Sequence, residues 1–291
     1  MNPTHFQPTV PDYLAKYPQI QIAVPRVHAM LRQLPTGADR RLYQDGKFEL
    51  EARFGTLSTD GRNMFQPGVS TEFLQQTLQE VGTFPDWHLV TDWKETHDYY
   101  YELPPHPEDL RGQAVLVRTT VDFRKEKNQE AQIVTEHICK QPRDKQDFRF
   151  VPGGGNALNT LATVPGMDVR VSLNFEEAVP ADSIPTRIKP KFVRIKNRKS
   201  FIYQPAHAQN PIWSVDFTKS WSAPTRSDAE MKQRERETIN EIEVECLDPY
   251  SYMSDPKRDQ FYLATSLMLK MRDFVGSDKP FQWEPQYKHS Y

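Results

Sequence analysis

Along much of the chain, hydrophobic and polar residues alternate with a period of two, the period a β-strand shows when its two faces meet different surroundings. In "KFELEARFG", residues 47–55, Phe48, Leu50, Ala52 and Phe54 fall on one side, and Lys47, Glu49, Glu51 and Arg53 on the other. Similar alternation in "THDYYYEL", "AVLVRTTVDF", "QIVTEHIC", "DVRVSLNFEE", "KFVRIKNRKSFIY", "IWSVDFTKSW" and "TINEIEVEC" predicts a succession of short strands between about residues 87 and 246. Loops such as "VPGGGNALN" separate them, and the organisation is a β meander.

A helical period shows at three places. "GVSTEFLQQTLQEVG" carries Ser70 as N-cap, Phe73, Leu74, Leu78 and Val81 on one face, and Gly82 as a stop. "KRDQFYLATSLMLKMRDFVG" sets Phe261, Ala264, Leu267, Met268, Met271, Phe274 and Val275 on one stripe, which predicts a C-terminal helix packed on the apolar side of the sheet. "RVHAMLRQL" predicts a short helix in the proline-containing stretch 1–46, read as an N-terminal arm; residues 47–291 are read as one domain ending in the C-terminal helix. The charged run "RSDAEMKQRERE" is expected to be an exposed connection.

The polar faces of the strands decide the architecture. A lone Glu-x-Glu strand is ordinarily a solvated sheet face, but here the charges are sorted by strand. Glu241, Glu243 and Glu245 oppose Ile242, Val244 and Cys246, whereas Arg194, Lys196 and Arg198 oppose Val193 and Ile195. Arg118, Thr120 and Asp122 share a face, as do Arg170, Ser172, Asn174 and Glu176, and Asp216 shares one with Thr218. A surface in water would not demand acids on some strands and bases on others. The expected fold is therefore mainly β (α+β): a closed antiparallel eight-stranded β-barrel, or tunnel, with apolar faces outward under flanking helices and charges lining a lumen of single-ligand size. Five glutamates on two strands cannot share such a lumen ionised without a compensating cation, and carboxylate oxygens favour Mg²⁺ or Mn²⁺. Arginine and lysine across from them suit a polyphosphate, so the combination points to phosphoryl transfer to water.

Composition changes this picture little. Over 291 residues, 37% hydrophobic content suffices for a core, and a net charge of -2 does not indicate a broad basic surface for coating nucleic acid. Two cysteines, Cys139 and Cys246, rule out a disulfide framework and a cysteine-built metal site, and suit a reducing compartment, cytosol or nucleus. No apolar run has the length of a membrane span, and "MNPTHFQPTV" lacks the basic start and apolar stretch of a signal peptide, so no membrane partner is expected.

In order along the chain, "ELEARFG", "VRTTVD", "VRVSLNFE", "RIKNRKSF", "VDFTK" and "NEIEVE" resemble the strand motifs of the triphosphate tunnel metalloenzymes, and within them the RNA 5′-triphosphatases of fungal, protozoan and viral mRNA capping. Arg53 follows the first Glu-x-Glu where relatives acting on small triphosphates often carry lysine. The resemblance implies metal-dependent hydrolysis of the γ-phosphate of 5′-triphosphate RNA to a 5′-diphosphate. It implies that Glu49, Glu51 and Glu245 bind Mg²⁺ or Mn²⁺ directly, with Glu243 and Asp216 holding its waters. Arg118, Lys196 and Arg198 would grip the terminal phosphates, Arg194 would support the acidic wall, and Glu176 would orient the attacking water or the basic cluster. Arg170 and Lys219 would add to substrate binding, and Glu241 matches a motif position. A Lys-x-Asp-Gly guanylyltransferase signature is absent from the sequence, so the expected partners are the 5′-triphosphate end of nascent RNA and a separate guanylyltransferase, in the nucleus, with a homodimer left open. The other readings are a tripolyphosphatase or small-molecule triphosphatase of the same fold, and a non-catalytic polyphosphate-binding tunnel.

Overall fold

A computed structural model describes residues 12–32, 34, 46–58, 64–104, 114–126, 129–153, 165–185, 187–206, 208, 210–249, 259–276 and 279–286. Among the described residues ten strands appear in chain order: β1 Gly46–Leu57, β2 Phe65–Pro67, β3 Trp87–Leu103, β4 Val115–Glu126, β5 Gln129–Pro152, β6 Asp168–Ala178, β7 Phe192–Tyr203, β8 Trp213–Ala223, β9 Ile239–Cys246 and β10 Phe281–Pro285. The described helices are α1 Ala23–Leu31, α2 Thr71–Thr83, α3 Arg226–Glu235 and α4 Gln260–Val275.

Eight of the strands close on themselves, each antiparallel to its neighbours, in the cyclic order β1-β6-β5-β4-β3-β7-β8-β9. Closure leaves no free edge in the ring, and it makes one face of every strand the lining of a lumen. The two remaining strands extend the sheet: β2 pairs with the end of β1, and β10 with the end of β5. Neither was legible in the sequence, because three- and five-residue strands are too short to show a period. Strands β3 and β5 also run longer than the alternation predicts, β3 with register shifts between Leu89 and Lys94, and β5 with one between Pro142 and Asp144. Each shift breaks the period of two by which the strand would be recognised.

The apolar faces point outward into one core. On β1, Phe48, Leu50, Ala52 and Phe54 are buried; Val169, Val171 and Leu173 of β6 and Ile242, Val244 and Cys246 of β9 join them. Helix α4 lays its predicted stripe over this surface, with Ala264, Leu267, Met268, Met271, Phe274 and Val275 buried and Phe261 packed against the cluster; Leu263, outside the stripe, is buried as well. Asp259 caps it, accepting from the Tyr262 amide at 2.8 Å, and Gly276 ends it with φ 112°, a conformation glycine tolerates. Helix α2 is capped by Ser70 as predicted, its hydroxyl accepting from the Phe73 amide at 3.1 Å. Helix α1 begins three residues before the expected start, and its Val24, Val27 and Leu31, with Leu14 and Ile20 ahead of them, are fully buried in the same core. The arm residues 12–31 thus pack on the barrel, and Trp283 of β10 donates its backbone N–H to Gln19 there at 3.1 Å.

The charged run before the last barrel strand is a helix rather than an open connection. Thr225 caps α3 by accepting from the Asp228 amide at 3.2 Å, and Ala229 alone among its residues is buried, in a small cluster with Ile195, Trp221 and Ala223. One small residue per three turns carries too weak an apolar signal to reveal a helix by periodicity.

Candidate active site

The lumen holds a cavity of about 540 Å³, within the ~300–1,000 Å³ range of small-ligand sites. Its two walls come from different strands. On one side β1 and β9 meet in a register that places Glu51 opposite Glu245 and Arg53 opposite Glu243. Glu49, Glu51 and Glu243 bring carboxylate oxygens within 4.8 Å of one another. Glu49 and Glu51 are buried, at 6% and 2% exposure, which is rare for glutamates unless they are paired.

Neighbouring strands supply the pairing. Arg53 reaches Glu51 at 2.5 Å and Glu243 at 3.3 Å, and Lys140 of β5 contacts Glu49 and lies 3.1 Å from Glu51. Asn174 of β6 donates to both Glu49 and Glu51 at 3.3 Å. Burial, and then the Glu243 charge beside it, push the Glu51 pKa up, with Arg53 opposing. Against their own burial, Arg53 is held protonated chiefly by Glu243 and Glu51, and Lys140 by Glu51 and Glu49. Glu245 is drawn aside by Lys47 at 2.8 Å, and burial raises its pKa to about 7.

The opposite wall is cationic. Arg118 of β4, and Arg194, Lys196 and Arg198 of β7, all line the cavity. Lys196 is 2.6 Å from Asp98 of β3, which is fully buried and also accepts from the Thr120 hydroxyl at 2.9 Å. Burial, then the Arg198 charge, bring the Lys196 pKa down to about 8, with Asp98 only partly offsetting them. Burial alone would raise Asp98, but the Lys196 ammonium holds it below the usual carboxylate range. Arg198 is paired with Asp216 at 2.6 Å, Arg118 with Glu136 at 3.1 Å, and Arg194 with Glu241. Glu176 sits between the walls. Its pKa is raised by burial and by Glu49, and its Oε1 is buried with no hydrogen bond among the described residues, 3.7 Å from Arg118. The Nε groups of Arg118 and Arg198 are also buried donors with no hydrogen-bond partner among the described residues.

Nearly every residue singled out from the sequence is therefore on the lumen side. Glu49, Glu51, Glu243, Glu245, Glu176, Arg118, Arg170, Arg194, Lys196 and Arg198 line the cavity, and Asp216 and Glu241 sit behind it as partners of Arg198 and Arg194. Arg170 lines it with its guanidinium already engaged by Asp147 at 2.6 and 2.9 Å. Lys219 is not brought in. It shares the outward face of β8 with Val215 and Phe217, and its ammonium lies 5.0 Å from the Trp93 ring centre. Alternation from Asp216 and Thr218 already assigns Lys219 to that face. The carboxylate grouping also differs from the expectation, with Glu243 rather than Glu245 beside Glu49 and Glu51.

Sequence reasoning missed Lys140, Asp98 and Glu136. Asp98 lies among aromatic residues on both faces of "THDYYYEL", so no apolar side identified its face. Lys140 and Glu136 share an inward face with Ile138, an apolar residue lining the cavity, which masks the contrast between the faces of β5.

No sequence-family model matches the chain, and neither does any curated protein. Solved structures do match its fold. The RNA triphosphatase Pct1 of S. pombe aligns with a TM-score of 0.51 at 14% identity, covering 92% of this chain and 94% of that one. The same enzyme solved in complex with the Spt5 CTD aligns at 0.51 and 15% identity, covering 92% and 93%. The RNA triphosphatase domain of a trifunctional mimivirus mRNA capping enzyme aligns at 0.44 and 11% identity, covering 87% and 96%. The chain thus shares the overall fold of the S. pombe enzyme.

Proposed function

We propose that the cavity binds the 5′-triphosphate end of RNA together with Mg²⁺ or Mn²⁺ and hydrolyses the γ-phosphate, leaving a 5′-diphosphate. The observation that carries this reading is the pairing, in one tunnel, of three carboxylates within 4.8 Å with a facing wall of Arg118, Lys196 and Arg198. A binder of polyphosphate needs the cations alone; the buried acids add nothing to it unless they hold a metal.

The donor set fits a hard divalent ion. All its candidate ligands are carboxylate oxygens: Glu49, Glu51 and Glu243 are grouped, and Glu245 lies opposite Glu51 as a further donor. A bound ion would supply charge neutralisation at the phosphate oxygens. Everything else falls to the chain. Arg118, Lys196 and Arg198 bind the terminal phosphate and take up the charge that develops on it, and their fixed partners Glu136, Asp98 and Asp216 keep them in place beforehand. Glu176, with Oε1 free to accept, orients the attacking water beside Arg118. Arg53 and Lys140 neutralise the carboxylates, a role that a bound ion would share.

Transfer of the cap is assigned to a separate guanylyltransferase, and the nucleus is the compartment this chemistry serves. The test is incubation of the purified protein with γ-labelled 5′-triphosphate RNA, with and without Mg²⁺ or Mn²⁺, followed by end-group analysis, with inorganic tripolyphosphate as the parallel substrate. Metal-dependent release of one phosphate and a surviving 5′-diphosphate are expected. Release that persists in chelator, a monophosphate end, or turnover of tripolyphosphate with none of RNA would overturn the reading.

A further inference from the structure

The two mouths of the barrel differ in chemistry. Because neighbouring strands are antiparallel throughout, the ends of β1, β3, β5 and β8 gather at one mouth with the starts of β4, β6, β7 and β9. At this mouth the cavity is lined by Phe65, Pro67, Tyr100 and Leu116. At the other it is lined by Lys47, Glu136, Glu176 and Glu245, without an aromatic ring among the described lining residues.

Phe65 is held in a specific place. Its ring lies across β1 at Gly55, where a Cβ would come within 2.5 Å of Phe65 Cζ, so only glycine leaves room for it. The Arg170 guanidinium lies 4.6 Å from the ring centre, fixed there by its two hydrogen bonds to Asp147. The ring remains partly exposed. Elsewhere on the same rim, Tyr100 and Phe192 stack at 4.2 Å with planes 14° apart, and Leu116 stays 41% exposed. Exposed Lys145 also stands on this rim.

Aromatic faces and arginine planes are what single-stranded nucleic acid stacks upon, whatever the base. We infer that this rim is the nucleoside end of the site: the first base of the substrate stacks on the Phe65–Arg170 pair while its triphosphate runs down the lumen to the carboxylates. The inference rests on the triphosphate reading of the cavity and adds the direction of entry. It predicts preference for nucleoside-bearing triphosphates over bare tripolyphosphate, without base specificity.

The experiment compares wild type with Phe65→Ala and Phe65→Leu, the latter retaining an apolar contact over Gly55 without a stacking face. With Mg²⁺ present, binding of a non-hydrolysable ATP analogue and of tripolyphosphate is measured by calorimetry, and kcat/KM is measured on triphosphate-ended RNA and on tripolyphosphate. Both variants are expected to lower the nucleoside-over-tripolyphosphate preference about 5- to 150-fold, the loss of one stacked base, with the change in KM rather than kcat. Phe65→Trp should restore it. Equal losses on both ligands, or a preference unchanged in Phe65→Leu, would overturn the inference. Failure of wild type to hydrolyse either substrate would overturn the proposed function instead, and the binding arm would still decide the stacking.

Discussion

The acidic and basic walls of the tunnel solve the same electrostatic problem in opposite ways. On the acidic wall the like charges are crowded, three carboxylates within 4.8 Å, and their counter-ions Arg53 and Lys140 are shared between them. On the basic wall Lys196 and Arg198 each have an anion of their own, Asp98 and Asp216, while Arg118 has Glu136 at 3.1 Å and Glu176 at 3.7 Å. Sharing is what carboxylates this close require, since each cation must offset the repulsion between more than one of them. Pairing with separate anions fixes the orientation of the cations, the preorganisation that the proposed phosphate chemistry needs.

The sharpest way to break this contrast is at the acidic wall. Glu51→Ala removes a shared oxygen donor and is expected to lower turnover by about a thousandfold or more, with loss of Mn²⁺ binding by calorimetry. Retained metal binding with lost turnover would show that Glu51 serves the basic wall instead. On the other wall, Arg198→Ala is expected to cost about 10²- to 10³-fold in kcat while metal affinity stays near wild type. An effect confined to KM would reduce Arg198 to a binding group. Between Glu243 and Glu245, single alanine variants each should lose about 10- to 100-fold or more in metal affinity, and the larger loss identifies the closer donor.

A smaller effect separates the walls by pH. With its pKa lowered to about 8, Lys196 loses its charge as pH rises through that value, before an ordinary lysine at 10.5 would. The groups facing it are Asp98 on β3, Arg118 on β4 and Arg198 on its own strand. Activity per free enzyme, kcat/KM, should therefore fall about fivefold from pH 8 to 9, and Lys196→Arg should remove that limb because arginine keeps its proton. Stability moves the other way. Between about 8 and 10.5 the unfolded chain retains a proton that the folded one has shed, so the contribution of Lys196 to folding rises with pH in that window. Chemical denaturation at pH 7 and 9.5, wild type against Lys196→Met, measures it. The smallest effect is expected at Lys219→Ala, less than about twofold in kcat, because that ammonium lies outside the barrel over Trp93.

Much of this molecule is local enough to be read from residue order. Alternation along β1, β6, β7 and β9 assigns each residue to lumen or core, because a strand turned by one residue would drive Glu49 and Glu51 into the space that Phe48 and Leu50 occupy. The stripe of α4 and the Ser70 cap of α2 are equally local. What tertiary structure alone decided is who meets whom across the tunnel. The register of β1 on β9 sets Arg53 against Glu243 and leaves Glu245 to Lys47, and the bulged course of β5 carries Lys140 to the carboxylates of β1. The fit of Phe65 over Gly55 likewise depends on a three-residue strand with no period of its own. A period of two fixes the face of a residue and says nothing of its height in the barrel; that height is set by strand register, shear and closure, which are properties of the whole ring of strands.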